Sequence, residues 1–188
     1  MDNSVIGLVG VTGLAGAGKT TAVNHLSTLM GGRIFYLGKD VLNEVRTRGL
    51  PETPESERQV RIDLRLDNGP AALAIPHLDE VAECLGNGIP ALVDAIFTRE
   101  EFDLLRSCVP NGPAWVLAIS ASFEIREARL SSRPQRTFTA KQLRQRDKYE
   151  LEVLGIDAVI ASAAYTIENE QTFEEFYSRL AEFVTRCE

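Results

Sequence analysis

Apolar residues in this chain fall in short unbroken runs separated by stretches of helical period. Val5 to Val11 is a run of strand length, and Thr20 to Met30 follows it with Val23, Leu26 and Met30 at helical spacing. Ile34-Phe35-Tyr36-Leu37 reads as a second strand, followed by a helical stretch from about Asp40 that stops at Gly49. Thr53-Pro54-Glu55 is a helix start, with the threonine as N-cap and the proline at the first helical position. Beyond it Val60, Ile62, Leu64 and Leu66 alternate as in a strand, but the start signal favours a helix. Asn68-Gly69-Pro70 ends that helix, and Pro70 is expected to open another running to about Leu85. Strands at 89–95, 115–120 and 165–168 then alternate with helices at 99–108, 123–131, 141–154 and 173–184. The last helix turns Phe173, Phe176, Leu180 and Val184 inward. Strands separated by helices imply an α/β fold with a parallel sheet covered on both faces, and a ligand site beyond the carboxyl ends of the strands.

Bulk properties narrow this picture. A length of 188 residues suits one domain spanning 1–188, and 44% hydrophobic with 25% charged content argues against disorder or a fibrous chain. The apolar runs are strand-sized and Met1-Asp2-Asn3-Ser4 lacks the basic start of a secretory leader, so a cytoplasmic protein without membrane contact is expected. Cys84, Cys108 and Cys187 form no CxxC pair and read as three reduced thiols. The net charge of −7 disfavours a nucleic-acid partner, but it is unevenly spread. Arg126, Arg129, Arg133, Arg136, Lys141, Arg144, Arg146 and Lys148 stand against only Glu127 and Asp147. A basic island on an acidic body suggests a local anion site.

Candidate chemistry enters at "GLAGAGKT", where Gly13, Leu14, Ala15, Gly16, Ala17, Gly18, Lys19 and Thr20 fit G-x-x-x-x-G-K-[ST] at every fixed position. A polyphosphate needs several inward-pointing backbone N–H groups, and glycines and alanines leave room for its approach. The following helix adds its partial positive charge and unpaired amides. Lys19 would reach the outer phosphates, and Thr20 would offer a hydroxyl to Mg²⁺. Ala91-Leu92-Val93-Asp94 ends an apolar strand in an acid, which makes Asp94 the candidate for holding a water of the Mg²⁺ shell or orienting an acceptor.

No N-K-x-D occurs, which disfavours a GTPase of the Ras kind. A phosphotransferase instead needs arginines that close over the transferred group. Arg126, Arg129 and Arg133 share one helix face, Pro134 ends that helix, Arg136 lies in the loop, and Arg146 on the next helix is placed to face back. That arrangement reads as a lid.

With these pieces the chain resembles the nucleotide-kinase branch of P-loop proteins, and more closely the adenylate-kinase-like, mainly archaeal proteins grouped with dephospho-coenzyme A kinases. The segments that carry the resemblance are "GVTGLAGAGKTT", "RGLPETPE", "LRLDNGPAALA", "VDAI", "AISAS", "RDKYEL" and "GIDAVIASAAYTIENE". The resemblance implies a five-stranded parallel sheet, a helical acceptor-binding insertion at 38–88 and a lid at 132–142. It further implies that Gly13 to Thr21, Thr21 included, bind the donor phosphates, and that Arg129, Arg133, Arg136 and Arg146 are lid or near-lid cations. Arg65 matches the acceptor side, Asp94 the aspartate of Asp-Gly-x-Arg, and Asn169 a segment near the donor base.

Two positions depart from the pattern. After the second strand the expected Gly-Asp-x-x-Arg has Lys39 and Leu42 instead, with Asp40 and Arg46 as displaced candidates. Phe97 stands where the arginine of Asp-Gly-x-Arg belongs, with Arg99 two residues on. Loss of both guanidinium groups disfavours simple AMP phosphorylation. The expectation is therefore an ATP- and Mg²⁺-dependent phosphotransferase with an altered site for a nucleotide-like or coenzyme-like acceptor. A nucleotide-binding switch or slow ATPase is the alternative.

Overall fold

The computed structural model describes residues 7–109, 111–134 and 137–187. Five strands form one parallel sheet: β1 (Leu8–Thr12), β2 (Arg33–Tyr36), β3 (Ala91–Asp94), β4 (Ala114–Ser120) and β5 (Tyr165–Glu168), in the order β2-β3-β1-β4-β5. This is the α/β parallel sheet that the alternating pattern predicts. All five residues of β1 are buried, as a central strand covered on both faces requires. Parallel register pairs Val11 with both Asp94 and Leu117, so the carboxyl ends of β1, β3 and β4 open together at one edge.

Helices α1 (Lys19–Met30) and α9 (Phe173–Cys187) cover one face, packing Val23, Leu26, Phe176, Leu180 and Phe183 against Val9, Val11 and Leu117. The other face carries α2 (Gly38–Thr47), α3 (Pro54–Asn68), α4 (Leu78–Gly86), α5 (Arg99–Arg106) and a short α8 (Ile156–Ala161), joined through Val41, Val60, Val81, Leu105 and Val159. Between β4 and α8 lie α6 (Phe123–Ser131) and α7 (Ala140–Glu152), whose Leu130 and Leu143 meet Phe138 and Ala15 in a separate cluster beside the loop after β1. Local chemistry sets several helix starts. Thr53 caps α3 by accepting from the Ser56 N–H, while Thr98 with Glu101 and Thr139 with Gln142 form reciprocal capping boxes on α5 and α7.

Three local expectations are corrected. Residues 70–85 are not one helix: the chain turns through 70–74 and takes a 3₁₀ turn at Ile75–His77 before α4 begins at Leu78. Pro76 lacks the N–H an α-helix would need there, and its ring would crowd the preceding turn. A six-residue helix, α8, follows Gly155, which adopts φ 65°, where the pattern reading had no element. Phe173 is 65% exposed and rests tilted at 38° to the Tyr177 ring, while Phe183 takes the buried place. Burial at 176, 180, 183 and 184 follows the helical period, whereas Phe173 begins the helix and overhangs the core. No helix among the described residues is long and apolar enough to cross a membrane.

Candidate functional site

The loop from Gly13 to Gly18 joins β1 to α1, and its backbone admits little except glycine at two points. Gly13 has φ 134°, and a Cβ there would lie 2.1 Å from the Ile119 carbonyl oxygen. Gly18, at φ 108°, caps α1 with no side-chain acceptor, so the first turn of the helix is left without a side-chain cap. Gly13→Ala is expected to destabilise the fold by at least about 1–3 kcal/mol, through a forced shift of the β4 backbone, read as a lowered urea midpoint at unchanged slope.

Lys19 curls back over the loop. Its Nζ donates to the carbonyls of Gly13 at 2.6 Å and Leu14 at 3.0 Å, and lies 5.4 Å from the centre of the Phe97 ring. Desolvation lowers its pKa to about 8, with Glu150 pulling upward and Arg146 pushing further down. One residue on, the Thr20 hydroxyl donates to Asp94 Oδ2 at 2.7 Å. Asp94 is 4% exposed at the end of β3, held beside the loop by the β1–β3 register. A lysine, a hydroxyl and a carboxylate therefore converge at the uncapped start of α1.

Behind the loop the arginines of the basic island act as braces. Arg126 makes a two-pronged pair with Asp147, at 2.9 and 2.7 Å, and donates to the carbonyls of Ala15 and Ala121. Arg129 donates to the Asn169 carbonyl at 2.9 Å, while the Asn169 amide donates to the Ala17 carbonyl at 2.8 Å. Arg129 and Asn169 thus reach the loop from its outer side. Arg133 and Arg146 line the cleft above Lys19, Thr20 and Asp94, which also has Arg61, Gly16 and Phe97 in its wall. Arg136 lies outside the described residues.

A second cavity of about 230 Å³ opens next to this cleft, between α3 and α7. Arg61, Phe97 and Arg146 belong to the walls of both. Three arginines of its wall are ion-paired: Arg61 with Glu57 at 3.3 Å, Arg146 with Glu150 at 2.6 Å, and Arg65 with Glu101 at 2.6 Å. The Arg61 pKa is lowered to about 10, by burial first and by Arg146 next, with Glu57 opposing both. Burial likewise pushes the Glu101 carboxyl up, against the pull of Arg65. The second Glu101 oxygen accepts from the Phe97 and Thr98 N–H groups, fixing the backbone that carries the Phe97 ring.

The structure brings Lys19, Thr20, Asp94, Arg65, Arg133 and Arg146 to these two cavities, and it does not bring Asp40, Arg46 or Arg99 there. Asp40 sits 2.7 Å from His77 Nε2, Arg46 is held by Glu52 on an exposed surface, and Arg99 pairs with Asp103 on α5. The residues that sequence reasoning missed are Arg61, Glu150 and the rings of Phe138 and Tyr149. One signal for Arg61 was present, since Arg58, Arg61 and Arg65 lie three and four apart on α3.

No family model matches the chain. A UPF0200 protein of Pyrococcus abyssi is 31% identical over 168 residues, covering 88% of this chain and 89% of that one. Another, from Methanocaldococcus jannaschii, is 31% identical over 175 residues, covering 92% and 86%. Among solved structures, shikimate kinase from Acinetobacter baumannii in complex with shikimate superposes with a TM-score of 0.60 at 18% identity, covering 97% of this chain and 95% of that one. A gluconokinase from Sinorhizobium meliloti gives 0.57 at 19% identity, covering 97% and 98%. The fold is that of the P-loop kinases.

Proposed function

The chain belongs to the UPF0200 family, and from that membership and the kinase fold we propose that it is an ATP- and Mg²⁺-dependent phosphotransferase acting on a small molecule. One observation carries the reading: the cleft holding Lys19, Thr20 and Asp94 shares a wall with the α3–α7 cavity, so a donor tail and an acceptor can meet at Arg61, Phe97 and Arg146. The residues present fit a triphosphate, because the loop is pressed against the Ile119 carbonyl and the Asn169 amide with no room for a Cβ at Gly13 or Gly18, and the start of α1 carries no side-chain cap. They also fit a hard cation shared with phosphates. Thr20 and Asp94 supply oxygen ligands, while no cluster of three or more His, Cys, Asp or Glu forms an all-protein metal centre among the described residues. Bound there, Mg²⁺ would neutralise charge on the phosphate oxygens.

In this reading Lys19 leaves the Gly13 and Leu14 carbonyls for the outer phosphates, and backbone N–H groups of the loop hold the inner ones. Asp94 keeps the Thr20 hydroxyl oriented. Phe97 and Leu130, which also line the cleft, reduce its exposure to water. Arg133 and Arg146 stabilise charge that develops during transfer, and 132–142 closes over the site as a lid, with 38–88 carrying the acceptor. A slow ATPase is the second reading, favoured by Phe97 in place of a guanidinium; phosphate release without any added acceptor, equal to the rate with one, would select it.

Calorimetric titration with ATP tests the donor half. Asp94→Asn and Thr20→Val are each expected to weaken Mg-ATP at least about tenfold, by losing a charge-assisted contact of roughly 1.5–3 kcal/mol, and to leave ATP in excess EDTA unchanged. Equal losses with and without Mg²⁺ would remove the metal role from this pair.

A further inference from the structure

The acceptor cavity differs in charge from a site for a phosphate monoester. Each of its three inner arginines is already matched with a buried carboxylate, Glu57, Glu150 and Glu101 having side chains 2%, 4% and 0% exposed. A dianion entering here would compete with a fixed anion for each of these three guanidinium groups and would lie close to their carboxylates in a poorly hydrated space, while Arg58, at the cavity's edge, lies over the Tyr149 ring. Tight recognition of a phosphate dianion favours guanidinium groups whose charge is uncompensated, and each of these three already donates to a carboxylate.

The hydrogen-bonding capacity that remains is of both signs. Arg65 Nε and Nη1 are buried without an acceptor, on a side chain only 7% exposed. Glu150 Oε2 is buried without a donor. Unmatched buried polar atoms in a cavity wall ask for a ligand that completes them. The matching ligand is uncharged, with a carbonyl or ring nitrogen for Arg65 and a hydroxyl for Glu150. Phe97, Phe138 and Tyr149 supply faces for a flat group, and a cavity of about 230 Å³ suits a compact one. Arg146, which is bonded to Glu150, also lines the donor cleft, so Glu150 lies at the end of the cavity nearer Lys19.

We propose that the acceptor is a nucleoside rather than a nucleotide, with a ribosyl hydroxyl on Glu150 and the base among the three rings, its edge toward Arg65. This rests on the phosphotransferase reading and names its acceptor class. In the transfer step the hydroxyl oxygen bonds to the γ-phosphorus and the bond to the β–γ bridging oxygen breaks. ADP leaves with that electron pair, and the hydroxyl proton passes to the Glu150 carboxylate and then to solvent. Glu150 is also the strongest attraction on the Lys19 ammonium, ahead of Asp94, which places it within the field of the transferring group.

The test is calorimetric titration of the full chain with adenosine, guanosine, cytidine and uridine and with their 5′-monophosphates, alone and with a non-hydrolysable Mg-ATP analogue. At least one nucleoside is expected to bind about tenfold or more tightly than its own monophosphate, and Lys19→Ala is expected to bind the ATP analogue more weakly and the nucleoside as before. A monophosphate that binds as tightly as its nucleoside overturns the proposal, and so does a protein that binds Mg-ATP but no nucleoside. Nucleoside binding without Mg-ATP binding would sink the phosphotransferase reading alone. Glu150→Gln is expected to lower kcat for the bound nucleoside about 10²–10⁴-fold and to leave nucleoside KM and Mg-ATP affinity in place. An unchanged kcat would take the proton-accepting role away from Glu150.

Discussion

Lys19→Ala is expected to lower phosphate transfer at least about 10²–10³-fold, the scale of removing one donor preorganised toward developing charge. The larger interest lies in its proton. Desolvation holds the free ammonium at a pKa of about 8, and a triphosphate beside it raises that value. The nucleotide-bound protein therefore holds more protons than the free protein between the two values, so Mg-ATP binding takes protons up in that window. At pH 8 about half the free molecules carry neutral Lys19, and uptake should approach roughly 0.5 proton per nucleotide. Near pH 6.5 both states are protonated and uptake should vanish. Calorimetry in two buffers of different ionisation enthalpy measures this directly, with Lys19→Ala expected to show no uptake at either pH. The stability sign follows from the same depression. The unfolded chain binds the extra proton between pH 8 and the ordinary lysine value of 10.5, so the wild type gains stability relative to Lys19→Ala as pH rises through that window. Equal proton uptake in the two proteins would show that some other group titrates on binding.

The loop at the start of α1 was legible because it is local. Gly13 to Thr20 run from the loop into the first turn of α1, between a strand and a helix each recognisable by its own period, so their order in the chain is their order in space. Asp94 was legible for a related reason, since an acid ending an apolar strand of a parallel sheet must lie at the edge where the other strands end. The second cavity was legible only in part: Arg65 and Arg146 were named, but the partners that hold such arginines come partly from distant positions. Arg65 meets Glu101 across 36 positions and Arg126 meets Asp147 across 21, and neither pairing leaves a mark in spacing. Charge counting along 126–148 found the cations but could not assign their partners, so a basic face and a set of internal braces looked alike. Phe97 illustrates the limit most clearly. In the sequence it is an arginine lost; in the structure it is a ring under Lys19 and a wall common to two cavities, held by the Glu101 carboxylate. The helix expected over 70–85 failed on the position of Pro76, a local signal that was present and outweighed.

Removing the Arg126 side chain should destabilise the protein more than any surface change in the basic island. Arg126 is 4% exposed, and its partner Asp147 on α7 has a side chain 13% exposed. Breaking such a pair from one side leaves the other charge in a low-dielectric setting without compensation, at a cost of about 3–5 kcal/mol. Arg126→Ala also strands the carbonyls of Ala15 and Ala121, so α6, α7 and the loop from Gly13 to Gly18 lose a common anchor. Urea unfolding is expected to show this loss for Arg126→Ala and a similar one for Asp147→Ala. The double change Arg126→Met with Asp147→Leu should recover much of it, because two apolar side chains of comparable volume leave no buried charge behind. By contrast Lys148→Ala, which removes an exposed partner of Glu152 at 3.8 Å, should fall within about 0.5 kcal/mol of the wild type. If the double variant proved no more stable than Arg126→Ala, the main contribution of Arg126 would be its hydrogen bonds to the loop backbone, and the ion pair would count for little.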